Sequence, residues 1–120
     1  MTDLSPAADL RAAAQLLLDL ADETDKEIKT NTYWHSEIRP PVAWFANGID
    51  NACGGPAGIL AGLLSPPLAR ELAHWMRGAA TFVDGVIKTH GHLGAQGLAQ
   101  IAHPLAVARH ILTATTEMTK

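Results

Sequence analysis

The chain has 120 residues and a mass of 12.7 kDa, which predicts a single domain over residues 1–120. Hydrophobic residues make up 48% and charged residues 18%, a balance typical of folded proteins rather than disordered tails. Twelve acidic against nine basic residues give a net charge of −3, opposite in sign to most nucleic-acid-binding proteins. The single cysteine excludes an internal disulfide framework and any paired-cysteine zinc site.

Two sequence features indicate a soluble cytosolic domain. No apolar run approaches the roughly 18 residues that a membrane span needs. The N-terminal sequence Met1-Thr2-Asp3-Leu4 lacks the basic region of a signal peptide. Composition by itself identifies no function.

The first segment predicts a long amphipathic helix over residues 6–29. Ser5 and Pro6 are typical of a helix start, because the serine oxygen can cap free N–H groups and proline fits the first turn. Apolar residues then recur at helical spacing, interrupted only by Thr24, at Leu10, Ala13, Leu17, Leu20, Ala21 and Ile28.

The next segment predicts a small β-sheet. Aromatic and β-branched residues are concentrated in 33–38 and 42–46, which Pro40-Pro41 separates. Asn47-Gly48 is typical of a two-residue hairpin turn, after which 49–53 can return as a third strand. We expect the first helix to cover this antiparallel meander, since so small a sheet is unstable alone. Its expected apolar contacts come from Trp34, Trp44 and Phe45.

The second half predicts two further long helices, over 66–88 and 95–116. Between the meander and the first of them, residues 57–64 form either a short helix or an irregular turn. Pro104 either kinks the last helix or marks a start near His103. The stripe that we expect to face the core over 66–88 consists of Leu68, Leu72, Trp75, Ala79, Phe82, Val83 and Val86.

The predicted fold class is therefore α+β. An N-terminal helix and a three-stranded antiparallel meander are followed by two long helices packed on them.

Negative charge is concentrated near the N-terminus, since residues 1–30 hold seven acidic and three basic residues. Such a run is typical of a solvated helix face supported by i,i+4 ion pairs, although it also offers a surface for a basic partner. The candidate partner-binding residues are Asp19, Asp22, Glu23, Asp25, Glu27, Arg70 and Arg77.

The loop His90-Gly91-His92 is the most suggestive local motif. Two imidazoles at this spacing can share a metal ion, but a metal site needs three or four ligands. His90 and His92 are thus candidate metal ligands, with plain surface histidines as the simpler interpretation. Paired catalytic carboxylates and a phosphate-binding glycine loop are both missing, so we predict no catalytic residue, no resident metal and no cofactor.

Three segments carry a resemblance to a known group of proteins. They are 10–17 (LRAAAQLL), 67–76 (PLARELAHWM) and 103–112 (HPLAVARHIL). In this order they resemble helices of small uncharacterised proteins encoded by actinobacterial phages and prophages. Many members carry Thr-Pro-Gly-Pro-Trp after the first helix, where this chain reads Lys29-Thr30-Asn31-Thr32-Tyr33-Trp34 and keeps only the tryptophan. The resemblance implies a phage origin and the host bacterial cytoplasm, and it implies no reaction.

Three functions follow as hypotheses. The first is a non-enzymatic phage accessory protein that binds and modulates a host or defence protein. The second is an oligomeric protein that sequesters a nucleotide, with Arg70 or Arg77 and the His90-Gly91-His92 loop meeting the phosphates. The third is a metal-dependent hydrolase built on the histidines. A homodimer is expected in addition, because helices with two apolar faces pair between chains.

Overall fold

The computed structural model describes residues 5–118, and every regular element in that range is helical. The α-helices are α1 (Pro6–Thr30), α2 (Trp44–Cys53), α3 (Gly55–Leu63), α4 (Pro66–His90), α5 (Gly94–Gln100) and α6 (Ala102–Met118). Two 3-10 turns, Thr32–Trp34 and Pro41–Ala43, lie between α1 and α2. Residues 1–4, on which the signal-peptide prediction rests, lie outside the described range.

None of the helices within residues 5–118 is long and apolar enough to cross a membrane.

The described chain forms two compact units. The terminal unit contains residues 5–17 and 71–118, and the central unit contains Leu18–Arg70. Helices α1 and α4 are each divided between the two units, with one part in the terminal unit and the other in the central unit.

The core of the terminal unit is built largely from small side chains. Leu10, Met76, Val83 and Ile101 are its largest fully buried residues. Alanines fill much of the rest, so the helices can approach closely without large side chains between them. These buried alanines are Ala7, Ala13, Ala14, Ala73, Ala80 and Ala108.

Polar side chains link the helices of the terminal unit at its surface. Arg11 pairs with Asp84, and Arg77 Nη2 donates to Gln15 Oε1 at 2.7 Å. Gln15 comes after Arg11 in α1, but its partner Arg77 comes before Asp84 in α4. These parts of α1 and α4 therefore run antiparallel. Arg109 Nε on α6 donates to Asp9 Oδ2 on α1 at 2.9 Å.

The structure confirms the two long helices predicted over 6–29 and 66–88. Helix α1 covers the predicted 6–29, and the Ser5 hydroxyl caps it by accepting from Ala8 N at 3.2 Å. Helix α4 extends the predicted 66–88 by two residues. The last predicted helix is broken at Ile101, and Pro104 lies in the first turn of α6, where its missing N–H removes no helical bond. The start near His103 is thus the correct alternative to a kink.

The predicted α+β fold class is wrong, because the described residues contain no strand. The expected strand 33–38 holds a 3-10 turn followed by irregular chain, and 42–46 and 49–53 belong mostly to α2. Asn47-Gly48, expected at a hairpin turn, lies in the middle of that helix. The chain turns instead where α2 ends and α3 begins, at Gly54 and Gly55, whose φ angles are +70° and +63°.

The position of Gly48 inside α2 has a packing reason. A Cβ atom added there would lie 2.6 Å from Trp34 Cζ3, closer than real Cβ contacts. The Trp34 ring is stacked on Phe45, with centroids 5.7 Å apart, and its Nε1 donates to Glu27 Oε2 at 2.8 Å. Glycine at position 48 therefore allows the Trp34 ring to approach α2 closely, and it does not form a tight turn. Trp34 and Phe45 do supply apolar contacts, as expected, but between a 3-10 turn and a helix.

Candidate functional site

Of the predicted acidic residues, Asp22, Asp25 and Glu27 make hydrogen bonds within the central unit. Arg70 Nη2 donates to Asp22 Oδ1 at 2.9 Å and also to Asp25 Oδ2. Glu27 accepts the indole N–H of Trp34. Asp19 and Glu23 are exposed on the same helix. These bonds favour the interpretation of the acidic run as a solvated helix face whose charges stabilise the unit itself.

The Arg70 cluster is exposed, and we expect it to contribute little stability. Hydrogen bonds from Arg70 to Asp22 and then Asp25 raise the pKa of its guanidinium, so, wherever the two carboxylates are ionised, the ion-pair contribution is lost only as the pH rises above the usual arginine range. We expect Arg70→Gln to lower the free energy of unfolding by about 1 kcal/mol or less, and by less still in 1 M salt. Urea unfolding at low and high salt measures both effects.

Arg39→Gln is the matched control for this change. It removes the same charge from the same unit, and Arg39 makes no ion pair among the described residues. A loss above about 2 kcal/mol for Arg70→Gln that is independent of salt would contradict a screened surface cluster.

The residues proposed for phosphate binding do not converge. Arg77 and His90 lie thirteen residues apart on the continuous helix α4, a separation of about 20 Å along its axis. The guanidinium of Arg70 already faces two carboxylates, which would repel a phosphate. The geometry therefore gives the nucleotide hypothesis no shared site.

The two candidate metal ligands do lie together. His90 and His92 line one surface depression of 350 Å³ with Leu93 and Gln96. Within residues 5–118, however, no group of three or more His, Cys, Asp or Glu side chains is placed to hold a metal ion. The histidine-metal hypothesis thus has no ligand set in this part of the chain.

A larger groove lies elsewhere in the terminal unit, beside α4. Its first wall presents Trp75 and Phe82, which are 44% and 38% exposed. They stand seven residues apart, or about 10 Å along the helix axis, and Gly78 and Ala79 lie between them. A Cβ added at Gly78 meets no atom within 4 Å, so the space between the two rings is open.

The opposite wall comes from the junction of α5 and α6. Ile101, where the two helices break, and Pro104 lie beneath this wall, since both residues are buried. His74, Gln100 and His103 are the polar side chains of the groove, and no carboxylate, lysine or arginine lines it. The groove encloses about 510 Å³, within the usual range for ligand sites. Its chemistry is thus apolar and aromatic, with a rim of imidazole and amide groups.

Trp75 differs from the other two tryptophans in its hydrogen bonding. Trp34 Nε1 donates to Glu27, and Trp44 Nε1 donates to the Arg39 carbonyl at 3.0 Å. Among the described residues, nothing accepts from the Trp75 indole N–H. An exposed indole with a free donor is typical of residues that anchor protein interfaces.

Sequence reasoning assigned Trp75 and Phe82 to the core, and that assignment is wrong. The buried stripe of α4 is Ala73, Met76, Ala80 and Val83, displaced around the helix from the expected one. Large aromatic residues at helical spacing favour a core assignment, while the alanines that α4 buries give a weaker signal. Both stripes have regular helical spacing, so periodicity alone does not separate the two faces.

Comparison with known proteins adds no further identification. No protein-family model, no curated protein and no solved structure matches this chain.

Proposed function

We propose that this protein acts by binding another protein, and that it holds an amphipathic helix of its partner in the groove between Trp75 and Phe82. The supporting observation is the pair of exposed aromatic rings on either side of open space at Gly78. An apolar groove of this kind takes residues at i, i+3 or i+4, and i+7 of a docked helix. Trp75 is the expected anchor, because tryptophan is enriched among residues that dominate binding energy.

The polar side chains at the rim of the groove indicate which side chains the partner helix carries. His74, Gln100 and His103 offer N–H donors, and no acidic side chain competes for them within the groove. Acidic residues beside the apolar ridge of the partner would accept these hydrogen bonds. The resemblance to phage proteins suggests the setting, in which a phage accessory protein modulates a host or defence protein in the bacterial cytoplasm.

The experiment fills the groove without disturbing the fold. Helical peptides with an apolar ridge and acidic flanks are selected from a display library against the wild-type protein. We expect Gly78→Leu to weaken binding of the selected peptides by at least about tenfold, because the leucine occupies the space between the rings. Trp75→Ala should weaken binding by about thirtyfold, which corresponds to about 2 kcal/mol at a hot spot. Fluorescence polarisation with labelled peptide measures both.

Gly85→Leu is the matched control. Gly85 lies on the same helix, a Cβ added there also meets no atom within 4 Å, and it does not line the groove. Peptides that bind wild type and Gly78→Leu with equal affinity would contradict the proposal, as would a selection that enriches no peptide.

A further inference from the structure

A depression of about 270 Å³ lies along α2 and α3 in the central unit. Sites for drug-sized ligands usually enclose about 300–1,000 Å³, so this one suits a smaller molecule. Two of its lining residues, Gly58 and Gly62, are buried. A Cβ added at Gly62 would lie 3.3 Å from Ala46 Cα on α2, so the two helices approach closely there. Because these glycines carry no side chains, the depression is open down to the backbone of α3.

Two opposite charges line this depression without pairing with each other. Arg39 and Asp50 are both lining residues, and within residues 5–118 neither side chain forms an ion pair or a hydrogen bond. A Cβ added at the buried Gly58 would lie 3.5 Å from Asp50 Oδ1, which places the carboxylate beside the deepest part of the depression. The side-chain amide of Asn47 lines the same space and has no hydrogen-bond partner in that range either. A ligand would therefore meet a free cation, a free anion and a free amide.

The wall formed by α3 is aliphatic. Ile59 and Leu63 line the depression and are 61% and 64% exposed. They stand four residues apart on α3, so their side chains are neighbours on one side of the helix. The depression thus places both signs of charge next to an apolar surface within one small volume.

This combination of charges narrows the class of ligand. A simple carboxylate or a phosphate would pair with Arg39 but be repelled by Asp50, and a simple amine would meet the reverse problem. A molecule that carries both a carboxylate and an ammonium group satisfies both residues through charge-assisted hydrogen bonds. An aliphatic substituent on that molecule would cover the apolar wall.

From these observations we propose that the depression binds an aliphatic zwitterion, either a free amino acid such as leucine or a short apolar peptide. Arg39 holds its carboxylate and Asp50 holds its ammonium group. The aliphatic side chain of the ligand packs against Ile59 and Leu63. This site shares no lining residue with the Trp75 groove, so it can be tested separately from the proposed function.

Titration of the full chain with leucine and with leucylglycine tests the proposal. By isothermal titration calorimetry, we expect at least one of them to bind with a Kd of about 1 mM or below. The two ligands differ in the spacing of their charges, so their relative affinities show whether the amino acid or the peptide fits. In ¹H–¹⁵N NMR spectra, the shifted backbone amides should include those of Asn47, Gly58 and Gly62.

Ligands that each lack one group test the assigned contacts. The C-terminal amide of the tighter ligand lacks the carboxylate, 4-methylpentanoate lacks the ammonium group, and glycine lacks the aliphatic side chain. Each should bind at least about tenfold more weakly than the tighter ligand, because each leaves one part of the site without its partner.

Charge-neutralising variants test the same contacts from the protein side. Arg39→Gln and Asp50→Asn should each weaken binding of the tighter ligand by at least about tenfold. Arg39→Gln should not weaken binding of the amide further, because the amide has no carboxylate to lose. Glu37→Gln is the matched control, since Glu37 belongs to the same unit, forms no ion pair within residues 5–118 and does not line the depression. Circular dichroism confirms that each variant is folded.

Three outcomes overturn the proposal. One is that neither leucine nor leucylglycine binds with a Kd of about 1 mM or below. Another is that the amide or 4-methylpentanoate binds as tightly as the zwitterion, which would leave one of the two charges without a role. The third is that folded Arg39→Gln or Asp50→Asn binds like wild type, or that the NMR shifts lie away from the depression.

Discussion

Leu10→Ala is expected to destabilise the protein by about 2–5 kcal/mol, the cost of removing a fully buried leucine from a packed core. Leu10 has no exposed surface, and the other buried residues of the terminal unit are largely alanines, which cannot extend to fill the space. At about 4 °C per kcal/mol, the melting temperature should fall by roughly 8–20 °C. Thermal unfolding followed by circular dichroism measures the change.

Leu20→Ala provides the control on the same helix. It removes the same atoms with the same change in helix propensity, but Leu20 is 49% exposed. We expect a loss of about 0.5 kcal/mol or less. Equal destabilisation by the two variants would contradict the burial of Leu10.

Gly48→Ala should destabilise the protein by about 1–3 kcal/mol, although alanine is the better helix former. The new methyl group would overlap the ring of Trp34. That ring cannot move freely, because Phe45 stacks on it, Tyr33 meets it edge-on at a centroid distance of 5.2 Å, and Glu27 accepts its N–H. The Tyr33 hydroxyl also donates to the Gly48 carbonyl at 2.6 Å, so a shift of α2 would strain this bond.

Replacing Gly85 by alanine should raise the free energy of unfolding instead of lowering it. A Cβ there meets no atom within 4 Å, so Gly85→Ala should stabilise α4 by about 0.5–1 kcal/mol. Urea unfolding of both variants, followed by tryptophan fluorescence, compares the two changes directly. A stabilising Gly48→Ala would show that the Trp34 ring does not lie over this position.

The long helices could be predicted from the sequence because several local signals agreed there. At α1, the Ser5 cap, Pro6 in the first turn and a regular apolar stripe all indicate a helix. The segment around Asn47-Gly48 lacks such agreement. There a two-residue turn signal and β-forming side chains competed with a short helix whose reason lies in tertiary contacts with Trp34.

The candidate site could not be predicted for a related reason. Periodicity shows that α4 has an apolar face, but not which of two adjacent stripes is buried. The answer depends on tertiary packing, which buries Ala73 and Ala80 completely and leaves Trp75 44% exposed. For the acidic run the sequence predicted i,i+4 ion pairs, whereas Asp22 and Asp25 pair with Arg70, at least 45 positions away in sequence.

The division of the chain into units sets the order in which contacts become available during synthesis. The central unit is one continuous segment, Leu18–Arg70, and all of its residues are synthesised before α6. The terminal unit joins the two ends of the chain, as in the Asp9–Arg109 pair, which spans 100 positions. Closing so long a loop is slow in an unstructured chain. Prior folding of the central unit shortens the effective loop, so we expect variants such as Gly48→Ala to slow folding of the whole protein as well as weaken its own unit.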